Sequence, residues 1–143
     1  MPVGDCGMAM AAQLLGDRWL LLIIRESFYG VRRFGMIKND LGIPRAALSD
    51  RLVKLVSKGI LRQVPYREPG QREHQEYVLT KKGMDLFPVL IALMQWGDTH
   101  LRKGALPKIS LRNAHTESKL RATVIDEDGN EVHQLRDVML IVS

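Results

Sequence analysis

The chain has a single cysteine in 143 residues, Cys6. That excludes an intrachain disulfide framework and any metal site built from several cysteines. A reducing compartment, the cytoplasm, is the expectation. Long hydrophobic runs are missing as well. The longest, Trp19 to Ile24, stops at Arg25 and Glu26, well short of the roughly 18–20 residues that span a bilayer. Asp5 stands where a signal peptide would carry basic residues, and no cleavage pattern follows, so neither membrane nor export is expected. There is no nucleophile elbow, no glycine-rich phosphate loop and no metal-spaced His/Glu cluster. His74, His100, His115 and His133 are scattered, and read as surface or capping residues. An enzyme is therefore disfavoured, and no cofactor or metal is expected.

What is present is positive charge, unevenly placed. The net charge is +5. Residues 32–82 carry twelve Lys/Arg against five Asp/Glu, whereas residues 104–143 carry five against six. A basic excess spread over a surface is ordinary, but one concentrated in a third of the chain favours an anionic partner.

The apolar spacing divides the chain into elements. Asp5 can cap a first helix running to Leu15, with Gly16 as its left-handed terminator and Asp17 as the next N-cap. A second helix, Arg18 to about Phe28, is apolar at Trp19, Leu22 and Ile23. Phe34, Ile37 and Leu41 mark a short third helix. After a turn at Gly42, Pro44 opens a fourth helix over 44–58, whose stripe is Leu48, Leu52, Leu55 and Val56. The period then changes. Residues 60–66 and 74–80 read as strands joined by REPGQRE, a hairpin with a Pro-Gly tip. Thr80 caps a long helix from Lys81 to about Leu101, in which Pro88 either kinks the helix or lies near its start. The breaker-rich GALPK at 104–108 leads to a second hairpin around DEDGN.

Three helices, a glycine turn, a fourth helix and a two-stranded wing make an α+β, mainly helical winged helix-turn-helix. The predicted fold has a long C-terminal dimerisation helix and an added C-terminal β-hairpin. It divides into residues 1–103 and an appendage, 104–143. Helix 44–58 would enter the major groove of double-stranded DNA. Arg45, Ala46 and Ser49 near its start face base edges, because the small residues permit close approach and an arginine can grip a guanine with two donors. Arg32, Arg33, Lys38, Arg51, Lys54, Lys58 and the wing residues Arg67 and Arg72 are placed for phosphates, which position a protein without reading sequence. Arg51 is also within reach of Asp50 or Asp40 inside the protein. Each cation alone is as well explained by solvation. A winged helix that binds proteins and not DNA remains the alternative.

The stretches LLGDRWLLLIIRESFYGVRRFG (14–35), ALSDRLVKLVSKGIL (47–61), EYVLTKKG (76–83) and LFPVLIALMQWGDTH (86–100) together resemble the HxlR family of bacterial winged-helix transcription regulators, over about residues 5–102. The resemblance implies a small homodimer on palindromic operator DNA. A repressor at the bacterial nucleoid is the expectation, with activation left open by the sequence. The resemblance implies dimer contacts through the first helix (Met8, Ala12) and the long helix (Leu90, Leu93, Met94, Trp96). The long helix is apolar on more faces than one core needs, which agrees. The resemblance also places Cys6 where some members sense oxidants or electrophiles, although Gly7 replaces the proline that commonly follows. Cys6 is then either the sensor of an oxidant or small-molecule effector, or an inert apolar residue. The tail resembles a zinc ribbon kept by some relatives, but Thr116, Ile125 and Asp128 stand at the ligand places. His115 and His133 do not make a closed site without cysteines.

Overall fold

The computed structural model describes Gly4 and residues 6–141. The expected Asp5 cap lies outside the described residues. The chain forms two compact units, Met1–Phe87 and Pro88–Ser143. The sequence places the division after residue 103; the contacts place it at the start of a helix, Phe87–His100, which carries the tail with it.

Unit 1 begins with helix α1, Gly7–Leu15, whose N-cap is Cys6. Gly16 does not take the left-handed turn expected of it. Its φ is −69° and its N–H still reaches the Ala12 carbonyl at 2.8 Å, so α1 closes right-handed. Helix α2, Arg18–Phe28, starts where the Asp17 carboxylate accepts from the N–H groups of Trp19 and Leu20 (2.8 and 3.2 Å). That satisfies two of the donors every helix start leaves unpaired. Its core stripe is Leu20, Ile23 and Ile24, rotated from the expected one; Trp19 and Leu22 are only half-buried. The indole is instead covered by the Arg18 guanidinium, 4.5 Å from the ring centre.

Helix α3, Phe34–Leu41, and helix α4, Arg45–Ser57, pack on α2 and on each other. Ile37, Ile43, Leu48, Leu52 and Leu55 join the α2 stripe in the core, while Val56 is half-buried. The turn between the helices needs one left-handed residue, and Gly42 supplies it at φ +62° without the cost a side chain would bring. Pro44 is the N-cap of α4 and not its first helical residue.

Strands β1, Leu61–Tyr66, and β2, His74–Leu79, pair antiparallel, from Leu61 opposite Leu79 to Tyr66 opposite His74. The segment before α3 adds to this wing. Arg33 bridges Glu76, and the Tyr77 N–H donates to the Arg32 carbonyl at 2.8 Å. The helix expected over 81–101 is two. Helix α5, Lys81–Met84, is capped by the Thr80 hydroxyl, and helix α6, Phe87–His100, follows. Pro88 has no N–H to close on Met84, so the helix stops and restarts with proline in its first turn, where none is needed.

In unit 2, Ile91 is the buried residue among those of α6. The Gln95 side chain fastens the tail to the helix, donating to the Leu120 carbonyl and accepting from the Ala122 N–H, both at 2.8 Å. The expected hairpin is present: β3, Val124–Ile125, pairs with β4, Glu131–Val132. Asp126 closes its loop, accepting from the N–H groups of Asp128 and Asn130 and from the Asn130 amide. Asn113 closes a second, smaller loop in the same manner through His115 and Thr116. Thr116 and Asp128 thus belong to turns held by side-chain oxygens. Among the described residues no cluster of three His, Cys, Asp or Glu is spaced to hold a metal ion.

Candidate nucleic-acid interface

Burial of Leu48, Leu52 and Leu55 fixes which way α4 turns. Residues on the opposite side must face solvent, and Ala46, Ser49 and Asp50 do. Val53 lies on the same side and is 68% exposed. Val53 is not among the residues expected at base edges, although Ala46, Ser49 and Val53 at i, i+3, i+7 are one face of a helix. An exposed β-branched residue between a serine and an aspartate suits contact with a thymine methyl group. Arg45, at the first turn, is exposed, with its guanidinium 5.1 Å from the centre of the Phe34 ring.

The predicted cations fall into two groups. Lys54, Lys58, Arg32 and Arg72 are exposed, Lys38 is half-buried, and none of them has a carboxylate partner among the described residues. Arg67 is exposed too, and its Nε donates to the Gln71 carbonyl at 2.8 Å, closing the wing tip.

Arg33 and Arg51 are engaged within the protein. The Arg33 guanidinium meets Glu68 at 2.6 Å and Glu76 at 3.1 Å, and lies 4.2 Å from the centre of the Tyr66 ring. Tyr66 in turn stacks on His74. The hydrogen bonds of Glu76 and then Glu68 hold the arginine's pKa above its ordinary value. One cation therefore ties the stretch before α3 to β2 and to the wing tip. Arg51 donates to Asp17 at 3.0 Å, not to Asp50 or Asp40 as the sequence allowed. Partial burial pushes the Asp17 carboxyl up, but Arg51 and the N–H groups of Leu20 and Trp19 outweigh it, and the carboxyl sits below its usual value. Arg51 thereby ties the middle of α4 to the start of α2. No spacing in the sequence signals either tie.

The remaining predicted residues are placed as follows. Cys6 is half-buried with a free thiol. Met8 and Ala12 are exposed on α1, an apolar helix with no buried residue. On α6, Leu93 and Trp96 are exposed, and Leu90 and Met94 are half-buried. No single helix among the described residues is long and apolar enough to cross a membrane.

A profile of the HxlR-like helix-turn-helix family matches residues 14–105. An uncharacterised HTH-type transcriptional regulator of Mycobacterium tuberculosis is 46% identical over 122 residues, covering 82% of this chain and 76% of its own. Among solved structures, PA1607, a candidate transcription factor, matches with a TM-score of 0.85 at 31% identity, over 97% of this chain and 96% of that one. The reduced form of the Bacillus subtilis transcriptional regulator YodB matches with a TM-score of 0.58 at 30% identity, over 70% of this chain and 98% of its own.

Proposed function

The chain belongs to the HxlR-like helix-turn-helix family, a family of transcription regulators, and from that premise we propose that it is a cytoplasmic repressor that binds a palindromic operator in the bacterial nucleoid as a homodimer. In this reading α4 lies in the major groove, with Arg45, Ala46, Ser49 and Val53 toward base edges. Arg32, Lys38, Lys54, Lys58, Arg67 and Arg72 meet phosphates, and the wing follows the flanking backbone. Arg33 and Arg51, bound to carboxylates, position the wing and α4. The observation that carries the reading is the two-sidedness of α4. One face is sealed by Leu48, Leu52 and Leu55, and the other is small, exposed and bordered by cations without carboxylate partners among the described residues.

Duplexes selected from random DNA by the full chain give the operator, and binding is then measured against salt. Each phosphate contact lowers the slope of log affinity against log salt by about 0.9, so six cations per protomer predict a steep, many-fold dependence. No binding to any selected duplex at low salt would sink the reading and leave a winged-helix module for protein partners.

Cys6 supports a second element, an oxidant- or electrophile-responsive repressor. It is a free, half-buried thiol at the N-cap of α1. A related fold has been solved both as reduced and as diamide-treated YodB. Mild peroxide should change operator affinity of the natural protein and leave Cys6→Ser unaffected. Equal responses in both would remove Cys6 from the account.

A further inference from the structure

Helix α4 carries one acidic residue, Asp50, and it stands on the face proposed to meet DNA. At about 100° per residue, it lies roughly 140–160° around the helix from each of the buried leucines Leu48, Leu52 and Leu55. Its carboxylate is exposed, with no hydrogen bond or ion pair among the described residues, not even to Lys54 four residues on. Ala46 and Val53, its neighbours on that face, carry no charge to offset it. We propose that Asp50 reads a cytosine in each operator half-site, accepting from the N4 amine in the major groove. It thereby sets the sequence preference at that base pair. This deepens the DNA-binding reading and rests on it, since α4 is taken to lie in the groove.

In water an exposed carboxylate is well solvated. Against a duplex it loses water and faces phosphates of its own sign, which is unfavourable unless a donor replaces the water. The major-groove edges of the bases offer two such donors, the N4 amine of cytosine and the N6 amine of adenine. Guanine and thymine present the acceptors O6 and O4, and an acceptor facing an acceptor is rejected. Adenine sets the acceptor N7 beside its amine, and cytosine does not. An ionised carboxylate only accepts, so it favours cytosine over adenine as well.

The neighbours make the contact possible. An aspartate side chain is short, and Ala46 and Ser49 are small enough to let the helix approach. Arg45, Lys54 and Lys58 border the face and supply attraction to the duplex, so one repulsive group at its centre costs affinity chiefly on the wrong sequence. Discrimination of this kind comes from rejection as much as from attraction.

The test uses the full chain and the operator duplex recovered by selection. Each base pair of the half-site is replaced in turn by the other three, and Kd is measured by fluorescence anisotropy at one salt concentration. At one position the natural protein should prefer cytosine by about five-fold or more. Asp50→Ala should level that position to within about two-fold and keep the preferences at the others. Asp50→Asn sets a donor beside an acceptor, the pair that adenine N7 and N6 match. It should move the preference at the same position from cytosine to adenine, which a residue that only supported the fold would not do. Both variants should keep the thermal midpoint of the natural protein, because the Asp50 carboxylate is exposed and bonded to nothing among the described residues. A half-site without a cytosine preference, or a preference that survives Asp50→Ala or Asp50→Asn, overturns the assignment while α4 stays in the groove. A position levelled by Asp50→Ala at which another base is preferred overturns cytosine as the partner. Failure of the natural protein to bind any selected duplex strikes the DNA-binding reading itself, and the assignment with it.

Discussion

Two arginines that look like the other basic residues in the sequence, Arg33 and Arg51, differ in kind from the exposed cations around them, because each is held by a carboxylate. Arg51 is spent on Asp17, and Lys54, three residues on, has no carboxylate partner among the described residues. Arg51→Ala should therefore lower thermal stability and leave the salt slope of DNA binding close to its natural value. Lys54→Ala should do the reverse, keeping the melting temperature and reducing the slope by about 1. The pair is read by differential scanning calorimetry and by operator titration at several salt concentrations; equal slope changes in both would show that Arg51 also meets phosphate. Asp17 gives the pH side of the same contact. Its folded pKa lies below the ordinary 3.8, so its contribution is fully present above that value and is lost as pH falls through the folded pKa. Asp17→Ala removes both the N-cap and the tie to Arg51, and should cost about 1–2 kcal/mol near neutral pH. The stability difference between the natural protein and the variant should shrink as pH falls below 3.8 and through the folded pKa of Asp17, measured by urea denaturation.

At the scale of elements, close approach outweighs helix propensity at one glycine of α5. The Thr80 hydroxyl donates to the Gly59 carbonyl and, at 3.2 Å, to that of Ile60, and Gly83 presses on the same Ile60 carbonyl. A Cβ at Gly83 would stand 2.3 Å from that oxygen and 2.9 Å from Leu79 Cδ2. Gly83→Ala should destabilise the protein by about 1–3 kcal/mol despite the better helix former. Gly35→Ala is the contrasting case: in α3 nothing lies within 4 Å of the added carbon and the backbone is not left-handed. It should stabilise by roughly 0.5–1 kcal/mol, and chemical denaturation of the two variants should give opposite signs. The same scale shows what could be read without a structure. The wing, the Gly42 turn and the DEDGN hairpin were legible because turn chemistry and hydrophobic period are local. The division of residues 81–101 was not settled by the sequence, because Pro88 permits either a kink or a fresh start, and in the fold it lies in the first turn of α6. The α2 stripe was misread by one residue because Trp19 looks like core but is covered by Arg18. The ties of Arg33 and Arg51 cross 34 to 43 residues and leave no periodic trace.

For the whole molecule the unbalanced quantity is apolar surface. Helix α1 buries none of its residues, and Met8 is 82% exposed. On α6, Val89, Leu93 and Trp96 are exposed, the last at 57%. Scattered apolar residues are normal on a surface, but under the proposed homodimer helices this apolar and this uncovered are where a partner would sit. A second copy of the chain supplies the same helices, and a twofold partner suits a palindromic target because each protomer then meets an identical half-site. The energetic consequence is separable from folding. Leu93→Lys with Trp96→Lys places two charges where the partner would sit, leaving the unit 1 core of Leu20, Ile23, Ile24 and Leu48 untouched. Sedimentation at micromolar concentration should show twice the chain mass for the natural protein and a single chain for the double variant. On DNA, joining two half-site contacts in one dimer raises avidity by about 10²–10⁴ without a new contact. The variant should therefore lose a factor of that order on the full operator and bind an isolated half-site as well as the natural protein does. A natural protein that sediments as a single chain, or a double variant that remains dimeric, would place the dimer elsewhere or remove it. A variant that loses half-site binding equally would show that these residues support the fold of the DNA-binding unit instead.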